Sequence, residues 1–292
     1  MSKTEQVVHV GKKIYKADRL QPSGNRKLSP VIRKKKGSVN AGEPLVHNSH
    51  GTLSSHCRFT TPFCEGCYAK DAENYPSVVN LLTHNTNLVE QSVGYELVRL
   101  FDNLIMNAYI QMEKHNVPIE ERIFRVHWDG DLGTVDELEA WNVAAKMCPD
   151  MSVFLYTRAH PFVSKALLNE MSWADNFVVY LSVDKHNIAS AKAVKQLDKQ
   201  DMIRMAFCGD TWEETLAVAE QFPDQRKGAR CPELTGKIDM IVWDSDLDEW
   251  ESRKTDAEQA GKKLPALKGK GACVACNMCP RGINNVRFAQ KG

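Results

Sequence analysis

Residues 123–131 read Ile-Phe-Arg-Val-His-Trp-Asp-Gly-Asp, an apolar and aromatic run that ends at two carboxylates and a glycine. Shortly after it, residues 134–137 read Thr-Val-Asp-Glu, the Thr-x-x-Glu pattern of a capping box that starts a helix. A short buried strand followed at once by a helix is the building block of a βαβ fold. The stretch therefore predicts an α/β protein.

The same alternation of strand and helix recurs on both sides of this stretch. Helices are predicted at 76–90, 92–115, 163–171, 187–198 and 211–221, and another follows the capping box at Thr134 with Leu138, Trp141 and Ala145 facing the core. Strands are predicted near 45–53 and at Ile123–Trp128, Val153–Tyr156, Phe177–Leu181, Met202–Phe207 and Ile238–Trp243. Such alternation indicates right-handed crossovers on a parallel sheet, and we expect a partial βα barrel of about six strands rather than a doubly wound sheet.

Composition divides the chain into three parts. Residues 1–44 form a basic arm, residues 45–250 the βα partial barrel, and residues 251–292 a polar linker followed by a cysteine-rich, cluster-binding segment. Eleven Lys and Arg against two Asp and Glu give residues 1–36 a net charge of +9, although the whole chain carries only +1. Such an arm either follows a phosphate backbone or is a solvated terminus, and composition leaves both open.

The cysteine content indicates a reducing compartment. No segment approaches the roughly 18 apolar residues of a membrane span, and the N-terminus lacks the apolar region of an export signal. Nine cysteines in such a chain are expected to be thiols, because the cytosol keeps thiols reduced. We therefore expect a cytoplasmic protein without a membrane partner. Seven of the nine lie in two clusters, and the other two, Cys148 and Cys208, are expected to be small buried residues.

The first cluster is Cys57-x6-Cys64-x2-Cys67, in a stretch that its proline and glycine predict to be a loop. Three thiolates suit an iron–sulfur cluster with one iron left open. Structural zinc needs a fourth ligand. Three nearby histidines are candidates for it: His47, His50 and His56.

The second cluster is Cys273-x2-Cys276-x2-Cys279 followed by proline, which is similar to part of a ferredoxin-type run. Cys231 is the best candidate for a fourth ligand. Four thiolates close either a zinc site or an iron–sulfur cluster, and spacing alone does not choose between them.

Polar residues follow the predicted strands. Because carboxyl ends of parallel strands meet at one edge, these residues are expected to gather there. They are Asp129–Asp131, Thr157, Arg158, Ser182–Asp184, Cys208–Asp210 and Asp244. Each also has a structural explanation, since Asp caps turns and Arg pairs with surface carboxylates.

The chain resembles a bacteriophage family called gene product 88. The matching segments are Asn25–Ser29, Thr61–Ala69, Phe124–His127 with Gly130-Asp131, Tyr156–Arg158, Leu181–Asp184 and the late cysteines. The cysteine triplet, placed in a loop ahead of a βα array, also looks like that of the radical S-adenosylmethionine superfamily.

The second resemblance implies a cofactor. Cys57, Cys64 and Cys67 would hold a 4Fe–4S cluster whose open iron chelates the amino and carboxylate groups of S-adenosylmethionine. One electron from the cluster would split the sulfonium and release a 5′-deoxyadenosyl radical, which abstracts hydrogen from a substrate carbon.

The same resemblance implies which residues bind that cofactor. Gly130 and Asp131 would receive its amino group, Arg158 its carboxylate, and Ser182 and Asp184 its ribose hydroxyls.

The cysteine loop departs from the superfamily pattern in two respects. Its first gap is three residues longer than the usual C-x3-C-x2-C. Gly66 stands where an aromatic residue usually precedes the last cysteine. Tyr68, directly after Cys67, is the aromatic candidate for a cofactor contact.

Together these features predict an iron–sulfur, radical S-adenosylmethionine-like enzyme of phage type in the host cytoplasm. It would act on a nucleic-acid base, a nucleotide or a similar small substrate. It would carry a second iron–sulfur cluster or zinc at the late cysteines and take electrons from a donor such as flavodoxin or ferredoxin. One alternative is a zinc-stabilised protein that binds nucleic acid through the basic arm without catalysis. Another is an iron–sulfur nuclease whose magnesium ligands would be Asp129, Asp131 and Asp244.

Overall fold

The computed structural model describes residues 7–31, 46–238, 244–261 and 271–290. The strands within these ranges are β1 (Val7–Val10), β2 (Lys13–Lys16), β3 (Ile123–Val126), β4 (Ser152–Thr157), β5 (Phe177–Val183), β6 (Arg204–Gly209), β7 (Ala229–Arg230) and β8 (Val286–Ala289). The α-helices are α1 (Tyr68–Ala72), α2 (Pro76–Gln91), α3 (Tyr95–Lys114), α4 (Val135–Met147), α5 (His160–Leu168), α6 (Ile188–Leu197), α7 (Trp212–Glu220), α8 (Asp244–Gln259) and α9 (Ala272–Cys276).

A six-stranded parallel sheet forms the centre of the fold. Its strands lie in the order β3-β4-β5-β6-β8-β7, and every neighbouring pair runs parallel. The predicted α/β class with a parallel sheet of six strands is therefore confirmed. The helices predicted after strands β3 to β6 are also present, with ends that differ by a few residues.

The helices that connect β3 to β6 pack side by side on one face of the sheet. Because these four strands lie in chain order and parallel crossovers are right-handed, successive helices fall on the same face. The main core lies between this helical layer and alternate strand residues such as Phe124, Leu155 and Val179. Within this core the Trp141 ring stacks on the Phe101 ring, with centroids 3.9 Å apart.

The opposite face of the sheet is covered by segments from both ends of the chain. Leu28, from the N-terminal region, and Val274, from α9, pack against Ile123 and Phe154. Met278 packs in the same way against Tyr180 and Ala206 of the neighbouring strands. The cysteine-rich segment is therefore part of the sheet's second hydrophobic layer.

Two predicted strands differ from the structure. Near residues 45–53, Ser49 makes single bridges to Ser23 and to Arg125, and His50 donates its backbone N–H to the Arg125 carbonyl at 3.0 Å. This segment runs beside β3 without forming a full strand. The strand predicted at Ile238–Trp243 falls largely on residues 239–243, which lie outside the described residues. The position beside β6 belongs instead to β8, in a stretch that the sequence placed in a tail.

The polar linker and the basic arm also have more structure than expected. Helix α8 extends to Gln259, so the beginning of the predicted linker is helical. In the arm, β1 and β2 form an antiparallel hairpin against α2, and the Tyr15 ring stacks on His84 with centroids 4.7 Å apart. The His84 ring also hydrogen-bonds the Arg19 carbonyl at 2.8 Å.

Helices that could span a membrane are absent from the described part of the chain. Within these ranges, no helix has both the length and the apolar character needed to cross a bilayer.

The turn after β3 requires glycine at position 130. Gly130 has φ +75°, and a Cβ there would lie 2.0 Å from the Thr52 hydroxyl oxygen. Gly94 also has positive φ, +53°, but a Cβ at that position would meet no atom within 4 Å.

We predict that Gly130→Ala lowers the free energy of unfolding by about 3 kcal/mol or more, because backbone strain and a steric clash add together. Gly94→Ala, the matched control, should lose only about 1 kcal/mol, because it adds the strain alone. Urea denaturation of both variants measures the difference, and equal losses would contradict the close approach of Thr52.

Candidate functional site

The three-cysteine loop lies over the carboxyl end of β3. It begins after a 3-10 turn at Ser54–His56, contains another at Pro62–Gly66, and ends at Cys67, the N-cap of α1. All three cysteines are partly exposed free thiols. Burial raises the pKa of Cys57, and negative charge on Asp131, Cys67, Asp129 and Cys64 raises it further. The loop therefore brings the three thiols near one another and near two carboxylates.

The four late cysteines come together on the non-helical face of the sheet. Cys231 follows β7 and donates its backbone N–H to the Arg287 carbonyl at 3.0 Å. Burial raises the pKa of Cys279; the Tyr156 hydroxyl lowers it, and charges on the three other thiols raise it. Cys231 and Cys279 therefore pack against the same cluster of strand residues, and the four thiols are close enough for their charges to interact.

Two cations lie close to this group of four thiols. Burial raises the pKa of Cys273 to about 12, while positive charge on Arg125 and Lys27 works in the opposite direction. Lys27 also pairs with Glu233 at 2.9 Å. Positive charge here would stabilise thiolates, which are the form that binds metals.

Neither cysteine group is a finished metal site. In the described part of the chain, no three His, Cys, Asp or Glu side chains are arranged to hold a metal ion. The metal roles of Cys57, Cys64, Cys67, Cys231, Cys273, Cys276 and Cys279 therefore stay predictions. Cys148 and Cys208 are buried, as expected.

Asp131 joins the ends of β3 and β4. Its carboxylate accepts hydrogen bonds from the Thr157 hydroxyl at 2.6 Å and from the backbone N–H groups of Arg158 and Leu132, both at 2.7 Å. The residue is 6% exposed. Its predicted role at a cofactor amino group stays a prediction, and it already has three protein partners.

Asp129, two residues earlier, has a different environment. Its Oδ1 accepts the backbone N–H of Gly130 at 2.8 Å, whereas its Oδ2 has no hydrogen-bond partner among the described residues. Burial raises the pKa of this carboxyl to about 6, although the hydrogen bond from the Gly130 backbone lowers it. An unpaired buried carboxylate oxygen beside the cysteine loop is available to a hydrogen-bond donor.

Arg158 and Asp184 contact each other at the ends of β4 and β5. The Nη1 of Arg158 donates to Asp184 Oδ2 and, at 3.3 Å, to the Thr61 hydroxyl oxygen. Thr61 in turn donates its hydroxyl hydrogen to Asp184 Oδ2 at 2.6 Å. Although burial raises the pKa of Asp184, the bonds from Thr61, His186 and Arg158 bring it below its ordinary value.

The other two predicted cofactor residues are less informative. The carbonyl of Ser182 accepts hydrogen bonds from His160 and Asn187 at 3.2 and 3.0 Å. Tyr68 is the first residue of α1, directly after Cys67. Their predicted roles stay predictions.

A cleft of about 530 Å³ opens between the cysteine loop and the carboxyl ends of β5, β6 and β8. The loop supplies one wall, and Gln290 closes one end by donating to the Gly66 carbonyl at 3.2 Å. The lining residues are Pro62, Phe63, Glu65, Gly66, Asp184, Lys185, His186, Ile188, Cys208, Gly209, Asp210, Glu214, Ala217, Val218, Gln221 and Gln290. The volume suits a nucleoside-sized ligand.

Comparison with known proteins identifies the family. The family model described as Gene product 88 matches residues 19–282. The chain belongs to the gene product 88 family. It is 27% identical over 277 residues to the Gene 88 protein of Mycobacterium phage L5, covering 93% of this chain and 98% of that protein. It is also 27% identical over 276 residues to the Gene 88 protein of Mycobacterium phage D29, covering 92% and 97%. No solved structure matches the chain.

This gene product 88 protein also contains a buried histidine–carboxylate cluster, whose hydrogen bonds the sequence did not predict. Glu137 accepts from His127 at 2.8 Å and from the Gly133 backbone N–H at 2.8 Å, and its Oε2 is 3.4 Å from the His56 ring. His56 directly precedes Cys57, so this cluster fixes the start of the cysteine loop. The capping box accounts for the position of Glu137 but not for its partners, of which His56 was predicted only as a candidate zinc ligand.

The charge state of Glu137 gives a pH-dependent prediction. Burial alone would raise its pKa, but charge and hydrogen bonds from His127 and His56 hold it below the ordinary value of 4.5. Because the unfolded chain then takes up the proton first as the pH falls, the stability due to Glu137 is complete above about pH 4.5 and is lost below it.

We predict that Glu137→Gln lowers the free energy of unfolding by roughly 3 kcal/mol at pH 7, and that the difference from wild type shrinks below about pH 4.5. Glu139→Gln on the same helix should change stability by no more than about 0.5 kcal/mol. Urea denaturation at pH 7 and at pH 3.5 makes the comparison; a difference that is constant with pH would contradict the charged state of Glu137.

Proposed function

We propose that this chain is an iron–sulfur enzyme of the radical S-adenosylmethionine type, built on a partial βα barrel. The observation that carries the proposal is that the three-cysteine loop forms one wall of the cleft at the carboxyl ends of the parallel strands. Ligand sites of parallel α/β proteins form at this edge. The family comparison supports a phage origin.

The donor set suits the proposed cluster in type and in place. Cys57, Cys64 and Cys67 are unpaired thiols in a loop, where backbone turns can direct three sulfurs to one point. Three cysteine ligands leave one iron free for a small molecule. The late cysteines, which lie on the non-helical face of the sheet, suit a second, closed cluster or zinc.

A 4Fe–4S cluster with S-adenosylmethionine supplies one-electron cleavage of a sulfonium and hydrogen abstraction. The chain's own residues provide the surroundings. Phe63, Ile188 and Val218 give the cleft apolar walls that exclude water. Asp129 presents a free carboxylate oxygen to a donor group, and Glu65 and Asp210 place negative charge near a cationic ligand.

The other residues predicted to bind the cofactor lie at or near the ends of the same strands. Gly130 and Asp131 shape the turn at the amino-group position, and Ser182 and Asp184 lie at the exit of β5. Arg158 lies between the cysteine loop and that exit.

The substrate class and the partners are proposed from the charge of the basic arm and from the radical-enzyme chemistry. A nucleic-acid base or nucleotide is the proposed substrate class, with the basic arm tracking phosphates, and a flavodoxin or ferredoxin in the host cytoplasm is the proposed electron donor. Within the described residues, the hairpin of the arm places Lys12 and Lys13 at its turn.

Anaerobic reconstitution tests the proposal. We expect about eight irons and eight sulfides per chain if both clusters form, or about four of each with a single cluster. Addition of S-adenosylmethionine should change the electron paramagnetic resonance spectrum of the reduced protein, and dithionite should yield 5′-deoxyadenosine. An unchanged spectrum with no 5′-deoxyadenosine would exclude this chemistry.

Cysteine variants separate the two sites. Cys57→Ala, Cys64→Ala and Cys67→Ala should each lose about four irons and the response to S-adenosylmethionine, because each removes one ligand of the open cluster. Cys276→Ala should lose only the metal of the late site. Cys148→Ala, which lies outside both groups, is the matched control and should retain all of the metal.

The same metal analysis tests the non-catalytic alternative. About two zinc per chain, with no iron or sulfide, would favour a zinc-stabilised nucleic-acid-binding protein. The observation that keeps this alternative is the proximity of the four late thiols to one another. Its binding to nucleic acid should weaken steeply as salt rises.

A further inference from the structure

We infer that Thr61, Arg158 and Asp184 form a clamp that positions the three-cysteine loop on the ends of β4 and β5. Arg158 and Asp184 are then positioning residues, a role different from direct contact with a cofactor. What the positioned loop binds rests on the proposed function, whereas the clamp itself does not.

The clamp is closed on itself by three contacts. Thr61 donates its hydroxyl hydrogen to Asp184 Oδ2 at 2.6 Å, and Arg158 Nη1 donates to that same oxygen. Arg158 Nη1 also lies 3.3 Å from the Thr61 hydroxyl oxygen, which accepts from it. Each of the three groups therefore contacts the other two, and loss of any one group removes two of the three contacts.

Arg158 and Asp184 are also held in place by hydrogen bonds near the strand ends. Asp131, at the end of β3, accepts the backbone N–H of Arg158 at 2.7 Å. Asp184 uses its second oxygen to accept the backbone N–H of His186, also at 2.7 Å. The side chains of Arg158 and Asp184 are only 13% and 2% exposed, so solvent screens their ion pair less than a surface pair.

On the loop side, the clamp acts on two residues that precede Cys64. The Thr61 backbone N–H lies 3.4 Å from Cys64 Sγ, and the Arg158 guanidinium lies over the Phe63 ring, 5.3 Å from its centroid. Phe63 and Thr61 thus hold the segment that leads into the thiol. The loop has an extra-long gap between Cys57 and Cys64, so its middle cysteine has the greatest need of such a restraint.

The sheet has many other stabilising contacts, whereas the cysteine loop has few, so the clamp matters mainly to the loop. The strands are already paired with one another and packed on the helices. The loop, by contrast, makes mostly short-range backbone bonds, such as those of Cys64 to Thr61 and of Cys67 to Cys64. Removal of the clamp should therefore release the loop and leave the sheet intact.

The test uses Thr61→Val in the full-length chain, which removes the hydroxyl and keeps the shape. Hydrogen exchange of the amides of residues 64–70 should accelerate about tenfold, the effect of losing a charge-assisted bond, while the amides of β4 and β5 stay unchanged. Thr61→Ser, which retains the hydroxyl, should stay within about twofold of wild type. Thr60→Val is the matched control, because Thr60 is an exposed neighbour without a described hydrogen bond, and it should leave exchange unchanged.

A second variant tests the clamp from the side of the sheet, so that the result does not depend on one substitution. Asp184→Asn removes the charge that holds Thr61 and Arg158, and it should accelerate exchange in the same loop. The inference is overturned if Thr61→Val and Asp184→Asn exchange like Thr60→Val, or if Thr61→Ser fails to restore the wild-type rate.

Reconstituted protein extends the test to the metal. Thr61→Val should alter the electron paramagnetic resonance line shape of the reduced cluster, and Thr61→Ser should restore it; a wild-type line shape in Thr61→Val would count against positioning of Cys64. If the wild-type chain binds no iron, the proposed function fails, and the exchange measurements still decide whether the clamp exists.

Discussion

A parallel sheet with its crossover helices on one face must cover its other face with something else, and that constraint organises this protein. Strands β3 to β6 follow one another in chain order, so their connecting helices build a single layer. Apolar side chains on the opposite face, including Phe154 and Tyr180, would otherwise remain in water at a cost of roughly 25 cal/mol per Å². Leu28 and the cysteine-rich segment provide the cover. The late thiols are consequently held in an apolar layer, where burial raises the pKa of Cys273 and Cys279.

The same geometry separates the two groups of cysteines by environment. The early triplet lies in a partly exposed loop at the edge where strand ends, carboxylates and a cleft meet. The late group is packed against aromatic residues on the face of the sheet, with Tyr156 at Cys279. An open edge suits exchange of small molecules, and an apolar layer suits a closed structural or electron-transferring centre.

Sequence patterns predicted the parts of the fold that are determined locally. Strands β3 to β6 and the helices after them have strong apolar periodicity, and Thr134 and Thr211 cap their helices as expected. Strand β8 has only four residues, and its pairing with β6 joins segments about 80 residues apart, as in Ala206 with Val286. Such a short strand is defined by tertiary contacts and not by propensity. The strand predicted near 45–53 was wrong for a related reason, because this segment pairs with β3 only through an isolated bridge.

For the candidate site, the sequence located the residues but not their hydrogen bonds. It placed Asp131, Arg158 and Asp184 at strand ends, and the structure brings them to the same edge. It could not distinguish Asp131, which has three protein donors, from Asp129, which has a free oxygen. That difference depends on which backbone N–H groups face each carboxylate, and this is set by three-dimensional packing. The histidine partners of Glu137 were hidden for the same reason.

The position of β8 in the sheet has a consequence for the order of assembly. Strand β8 lies between β6 and β7, and within the described residues β7 pairs with no other strand. During synthesis, β7 and the adjoining Cys231 therefore have no place in the sheet until β8, about 55 residues further along, has left the ribosome. Strands β3 to β6, with the early cysteine loop above them, can pair before that. The surroundings of the early cysteine loop can thus form first, and those of the late cysteines only after β8 has been made.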